Sequence, residues 1–241
     1  MMRINCDIGE RGHDHPVDRR LMEVIHIANL ACGGHAGNSA SVQAFRALAE
    51  ENGVELAAHL SFPDRSHFGR RLISMPVPSL LASLEEQLGL LADVRRVKFH
   101  GALYNESCRN RDLAADLSQW LAATGIREIL APEDTAIARA ARNRGIVVRR
   151  EAFAERRYEY DESARRLSLV DRSQPHASLS ELESALAQAK EIIKRRRVNV
   201  SHSSSGHPQW QAITADTLCI HSDSPIALEL AVQLRRLIEA P

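Results

Sequence analysis

The sequence predicts a parallel α/β fold closed into a barrel, and three observations carry that prediction. Short apolar runs of strand character alternate with amphipathic helical stretches along the chain, about seven times in all. A length of 241 residues suits one α/β barrel with a single large core, so one domain over 1–241 is expected. Nearly every strand-like run also ends in one or two reactive side chains before the next helix, and strand ends are where barrels build active sites.

Taken in order, the first strand spans 3–8 and breaks at Gly9-Glu10, leaving Asn5, Asp7 and Glu10 at its C-terminal end. A polar loop with His13 and His15 reads as solvated surface. Leu21, Met22 and Ile25 give 18–26 a helical spacing. A second strand over 27–32 ends in Gly33-Gly34-His35-Ala36-Gly37, where the glycines imply a sharp turn or close approach around one histidine. Ser39 or Ser41 caps the next helix, which stops at Gly53. The third strand, 54–58, delivers His59, and a long polar loop carrying Arg70 follows. Pro78 and Ser79 open a helix with leucines at 80, 81, 84, 88 and 91 on one face. The run Val97-Lys98-Phe99-His100-Gly101-Ala102-Leu103-Tyr104-Asn105 reads as the fourth strand ending in an active-site loop. Strands over 128–131 and 146–150 follow, with helices over 112–123 and 133–143. The sixth strand leads to Glu151 and Arg156. Residues 158–178 lose periodicity and read as an excursion over the barrel mouth, with a small strand at 167–170. Ser180 is expected to cap a helix to about 196, and the Ser/His-rich 198–210 stretch is expected to be a mobile loop. A last strand over 217–220 ends in His221 and Asp223, and a helix over 226–238 closes the chain.

Composition excludes several functions. With 31 basic and 31 acidic residues, the chain offers no net field for nucleic acid or an anionic membrane surface. Lys194-Arg195-Arg196-Arg197 reads as a solvated helix end, its charge matched to the helix dipole. No apolar run approaches the ~20 residues of a membrane span, and no signal region opens the chain, so a cytoplasmic location is expected. The four cysteines are far apart; Cys6, Cys32 and Cys219 read as reduced, buried small hydrophobes. Neither a G-x-S-x-G turn nor a G-x-x-x-x-G-K-[ST] phosphate loop is present.

In a barrel, Asp7, His35, His59, Lys98, His100, Glu151, His221 and Asp223 would share one face although they span more than 200 positions. Two chemistries suit such a set. Asp7, His35 and His59, from adjacent strands, would make a three-ligand site for a divalent metal that activates water. Alternatively Asp7 or Asp223 positions or deprotonates water, His59 and His100 move protons, and Lys98 stabilises oxyanion charge. Arg70 and Arg156 are candidates for holding a substrate carboxylate, with Asn5, Glu10, His35, Asn105, Glu151 and His221 completing the binding set.

These loops together resemble the LamB/YcsF family. The matching stretches are Asn5-Cys6-Asp7-Ile8-Gly9-Glu10, Ala28-Asn29-Leu30-Ala31-Cys32-Gly33-Gly34-His35-Ala36-Gly37, Ala58-His59, Pro63-Asp64, Phe68-Gly69-Arg70-Arg71, the run from Val97 to Asn105, Arg150-Glu151-Ala152-Phe153-Ala154-Glu155-Arg156 and Cys219-Ile220-His221-Ser222-Asp223. Among the departures, Asn38 stands where the family usually carries an aspartate. The resemblance implies a distorted (β/α)7 barrel like that of glycoside hydrolases and polysaccharide deacetylases. It further implies the A component of an ATP-dependent 5-oxoprolinase, which opens a lactam to L-glutamate with partner subunits B and C. ATP would be used by the complex, the partners phosphorylating the lactam. The rival readings are a metal-dependent deacetylase-like hydrolase and a non-catalytic substrate-binding subunit.

Overall fold

The structure, a computed structural model, describes residues 2–163, 165–200 and 209–239. Its strands are β1 (Arg3–Ile8), β2 (Ile27–Ala31), β3 (Glu55–Leu60), β4 (Arg96–Phe99), β5 (Glu128–Ala131), β6 (Val147–Phe153), β7 (Tyr158–Asp161), β8 (Arg166–Leu169), β9 (Arg197–Asn199), β10 (Trp210–Ala212) and β11 (Thr217–His221). Seven of them close a barrel in the order β1, β11, β6, β5, β4, β3, β2, with every neighbouring pair parallel. The predicted parallel α/β barrel is the architecture observed. Around it lie α1 (Pro16–Leu21), α2 (Ser39–Asn52), α3 (Val77–Gly89), α4 (Gly101–Arg109), α5 (Arg111–Ala123), α6 (Ala136–Asn143), α7 (Leu182–Arg195) and α8 (Ala227–Glu239).

Strand alternation sorts the side chains. Ile4, Cys6 and Ile8 of β1, Ala28 and Leu30 of β2, Val97 and Phe99 of β4 and Leu218 and Ile220 of β11 join the main apolar cluster with the helices. Parallel partners in register point to the same face, and the register pairs Asp7 with Asn29 and His221, Asn5 with Cys219, and His59 with Lys98. These residues therefore face the barrel interior. Below them Ile27, Ala57 and Leu130 form a small, separate apolar layer. Below that, at the strand starts, Arg3, Glu55, Arg96, Glu128 and Arg149 make a chain of ion pairs. The barrel interior is thus charged at both ends with a thin apolar waist.

Several local expectations change. Residues from Gly101 onward form α4 instead of a loop, because Gly101 takes φ +56 and lets the chain turn directly from β4 into a helix. A Cβ on Gly101 would lie 2.4 Å from the Gly69 carbonyl oxygen, so the 61–76 loop is locked against the start of α4. The cap of α2 is Asn38, whose side chain accepts from Ser41 N at 3.0 Å while Ser41 Oγ accepts from Asn38 N at 2.9 Å. An asparagine does here what the usual aspartate would do. No side chain caps α7, whose N-cap is Glu181 and not Ser180. Within 158–178, β7 and β8 pair as an antiparallel hairpin. The ends of the Ser/His-rich stretch contribute β9 and β10, which also pair; residues 201–208, on which the expected mobility falls, lie outside the described residues.

Candidate active site

Nine of the sequence-predicted site residues converge at the C-terminal end of the barrel: Asn5, Asp7, Glu10, His35, His59, Lys98, His100, Glu151 and His221. At the centre, Lys98 Nζ donates to Asp7 Oδ1 at 2.9 Å, to Cys219 Sγ at 2.9 Å and to Asn5 Oδ1 at 3.3 Å. It also lies 3.2 Å from Glu151 Oε1, close enough for ion pairing although not aligned for a hydrogen bond. Asn29 Nδ2 bridges Asn5 Oδ1 and Asp7 Oδ1 at 2.7 and 2.8 Å, and Tyr104 donates to Glu151 Oε2 at 2.8 Å.

The electrostatics follow from burial and pairing. Burial opposes the charge on Lys98, but Asp7, Cys219 and Glu151 outweigh it and hold the ammonium well above its ordinary range. Burial likewise opposes the Asp7 carboxylate, and the charges of His59 and Lys98 overcome it, so Asp7 sits well below the usual carboxylate range. Tyr104 is pushed up by burial and by Glu151. Cys219 is pushed up by burial in spite of Lys98. Asp7 and Lys98 are a locked ion pair, which suits Asp7 to positioning more than to proton uptake.

Beside this centre lies a group of imidazoles. His35 Nε2 is 2.8 Å from Glu10 Oε1, and His100 Nδ1 is 3.0 Å from His59 Nε2. The rings of His35 and His100 stack in parallel with centroids 3.7 Å apart. Burial and then Asp7 push the Glu10 carboxyl up to about 7, burial takes His35 down to about 3, and burial with the neighbouring imidazoles lowers His100.

On the other side, His221 Nδ1 and backbone N both meet Glu155 Oε1 at 2.7 Å, and His221 Nε2 lies 3.9 Å from Asp7 Oδ2. Its ring stacks on Phe153. His221 and Glu155 border a pocket of about 200 Å³, also lined by Arg172, Leu179 and Asp223. The 158–178 excursion therefore does border the mouth.

Four predicted residues sit elsewhere. Arg156 is buried with its guanidinium donating to Val170 O at 2.6 Å and Ala177 O at 3.2 Å, so it staples the excursion and holds no substrate carboxylate. Asn105 is exposed on α4, turned out by the helix that replaces the expected loop. Asp223 is exposed on the rim, paired there with Arg70 at 3.3 Å. Of the expected metal set of Asp7, His35 and His59, Asp7 gives its Oδ1 to Lys98 and sets its Oδ2 3.3 Å from His59 Nε2, while the donor atoms that converge with those of His35 and His59 are those of Glu10 and His100. Sequence reading missed Asn29, Tyr104, Glu155 and Arg172 as site residues; Cys219 is the reduced, buried small side chain expected, and it also accepts from Lys98. Period-two alternation through Asn5 and Asp7 was the signal that would have found Asn29 and Cys219, their partners in register.

A parallel barrel with a polar, dry cluster of acids, bases and a buried cation at its strand ends defines an α/β-barrel protein with an enzyme-like centre. The chain belongs to the LamB/YcsF family, which it matches over residues 2–241. It is similar to the lactam utilization protein from Thermus thermophilus, at 31% identity and a TM-score of 0.84, over 99% of this chain and 96% of that one. A xylose isomerase domain protein from Planctomyces limnophilus matches at 12% identity and a TM-score of 0.46, over 98% of this chain and 95% of that one, too distant to carry an argument. No helix among the described residues is long and apolar enough to cross a membrane.

Proposed function

We propose that this chain is the ring-opening subunit of an ATP-dependent 5-oxoprolinase, hydrolysing the lactam of 5-oxoproline to L-glutamate with partner subunits B and C. Family membership and the likeness to a lactam utilization protein support the substrate class. The partners use ATP to activate the lactam, since this sequence carries no phosphate loop. Four free cysteines support a reducing cytoplasmic compartment.

The observation that carries the chemistry is the His221–Glu155 pair. A carboxylate fixes the proton on Nδ1, so Nε2, 3.9 Å from Asp7 Oδ2, is left as the base of an imidazole that borders the pocket, the arrangement of nucleophile-activating triads with water as nucleophile. His221 takes a proton from water as the oxygen bonds to the lactam carbon that the partners have phosphorylated on its oxygen, and returns it to the ring nitrogen as the carbon–nitrogen bond breaks; the acyl phosphate left behind is hydrolysed by a second water to L-glutamate and phosphate. Asp7, fixed by Lys98 and Asn29, stabilises the imidazolium that forms 3.9 Å away. Lys98 supplies the positive potential that favours oxyanion charge. At the rim, Arg70 and Arg172 are the available carboxylate partners.

The test is glutamate release from 5-oxoproline and ATP by the chain together with its partner subunits. His221→Ala should lower turnover by roughly 10²–10⁴-fold. Full glutamate release by the partners without this chain would sink the assignment.

A further inference from the structure

The hydrogen bonds around three histidines leave a proton count that closes only with an added positive charge at their centre; His59 Nε2 also lies 3.3 Å from Asp7 Oδ2. His59 Nδ1 is 3.2 Å from the Lys98 carbonyl oxygen, and His100 Nε2 is 2.9 Å from the Phe68 carbonyl oxygen. A carbonyl only accepts, so both of these nitrogens carry their ring's proton. His35 Nδ1 is 3.1 Å from Ser61 Oγ, whose own hydrogen goes to Phe62 O at 2.9 Å, so His35 Nδ1 also donates. In each neutral ring the other nitrogen then bears a lone pair. Those three nitrogens, His35 Nε2, His59 Nε2 and His100 Nδ1, all point at one spot together with Glu10 Oε1, every pair within 4.8 Å. Two lone pairs facing each other at the 3.0 Å between His59 and His100 repel unless a positive charge lies between them.

We propose that this spot is a binding site for one divalent transition-metal ion of the zinc class, held by Glu10, His35, His59 and His100. The distances from Glu10 Oε1 to the nitrogens of His35, His59 and His100 are 2.8, 3.7 and 3.5 Å. A tetrahedral ion with bonds of about 2.0–2.1 Å needs donors roughly 3.4 Å apart, and these three distances lie within about 0.6 Å of that. Each histidine already has an outer partner that fixes its tautomer and ring orientation, which is how metal-ligating imidazoles are held. Four successive strand ends supply the donors, and the rings are buried. A Cβ at Gly69, φ +62, would lie 2.9 Å from His35 Cβ and 3.2 Å from His100 Cδ2, so the 61–76 loop wraps the rings closely. Three imidazoles and one carboxylate select zinc, cobalt or nickel over the oxygen-loving magnesium and calcium.

A second group, Asp7, Cys219 and His221, also converges, but there the cation is already provided: Lys98 Nζ stands 2.9 Å from both Asp7 Oδ1 and Cys219 Sγ. The contrast separates a cluster that carries its own cation from one built of acceptors and lone pairs. The proposal rests on donor geometry and not on the lactam assignment, so a chain that binds metal and opens no lactam would leave it standing.

The experiment treats the full chain with a chelator, dialyses it, and titrates it with Zn²⁺ and Co²⁺, reading bound metal by mass spectrometry and the visible d–d bands of cobalt. The expected result is about one equivalent bound, with cobalt bands of tetrahedral intensity. Glu10→Gln and His100→Asn should each weaken binding by at least roughly 10–100-fold. Circular dichroism of the metal-free variants controls for folding, and zinc should raise the thermal midpoint of the wild type but not of the variants. A folded wild type that takes up neither ion at micromolar concentration overturns the proposal, and protons then fill the spot. Unchanged binding in both variants overturns it equally.

Discussion

The two ends of the barrel are both lined with charge, yet they are built on opposite plans. At the strand starts Arg3 and Arg96 clamp Glu55 at 2.6 and 2.5 Å, and Arg96 and Arg149 clamp Glu128 from both sides. Burial opposes the Glu128 charge, but the hydrogen bonds from Arg149 and Arg96 outweigh it and lower its pKa. Water reaches this end, the side chains of Glu55 and Glu128 being 42% and 14% exposed. At the strand ends the charges are dry, and Glu151 Oε1, Glu155 Oε2 and Asn29 Oδ1 lack hydrogen-bond partners. One end uses arginine, whose fork saturates carboxylates and never releases its proton; the other sets one fixed ammonium, Lys98, beside histidines, whose protons move. Charge arranged for stability is paired out, and charge arranged for chemistry is left incomplete.

The largest break in this contrast comes from Lys98. Lys98→Met leaves Asp7 and Glu151 buried without their cation, an effect of about 3–5 kcal/mol on unfolding free energy, together with loss of glutamate formation. Urea unfolding checks it, and a loss below roughly 1 kcal/mol would show the top end to be far wetter than its burial implies. Next comes the His221 orienter. Glu155→Gln keeps an acceptor for Nδ1 but removes the charge that stabilises the imidazolium, so kcat should fall about 10²-fold while stability stays within roughly 1 kcal/mol. A stability collapse with kcat intact would reassign Glu155 to the structural plan. At the other end Arg96→Met should do the reverse. Its loss is about 1–2 kcal/mol after allowance for water, with kcat and KM unmoved because no charge of the bottom ring reaches past the Ile27, Ala57 and Leu130 waist.

How much of this was legible depends on which physical rule the residues obey. The barrel was readable because strand and helix periods alternate and glycines punctuate them. Strand-end polar residues were readable because a parallel sheet puts all such ends together. The bottom ring was not, since Arg3, Glu55, Arg96 and Glu128 at strand starts look like ordinary solvent charges until register brings them face to face. Arg156 looked like a substrate anchor because its guanidinium could serve either purpose; its backbone acceptors exist only once the excursion folds. Asp223 was placed by counting strand-end neighbours, but β11 stops at His221, and two residues on the chain has turned to the rim.

The smallest effect tests whether the bottom end has any titrating weakness of its own. His26 stands just before β2, and its Nδ1 accepts a hydrogen bond from Ile4 N at 3.0 Å, so its neutral form is built into the strand pairing. Burial lowers its pKa, and Arg235 and Arg3 add to this against the weaker pull of Glu239 and Glu55. A histidine whose folded pKa is depressed binds fewer protons folded than unfolded, so stability rises with pH through that window. Its contribution is complete above the ordinary histidine value of about 6.5 and is lost as pH falls toward the folded value. Urea midpoints between about pH 5 and 8 should therefore decline on the acid side, and His26→Gln, whose amide oxygen can accept the same N–H, should flatten that part of the curve. An unchanged acid limb in the variant would move the source of acid sensitivity to the imidazoles at the strand ends, and the two ends would then differ in proton sensitivity as well as in pairing.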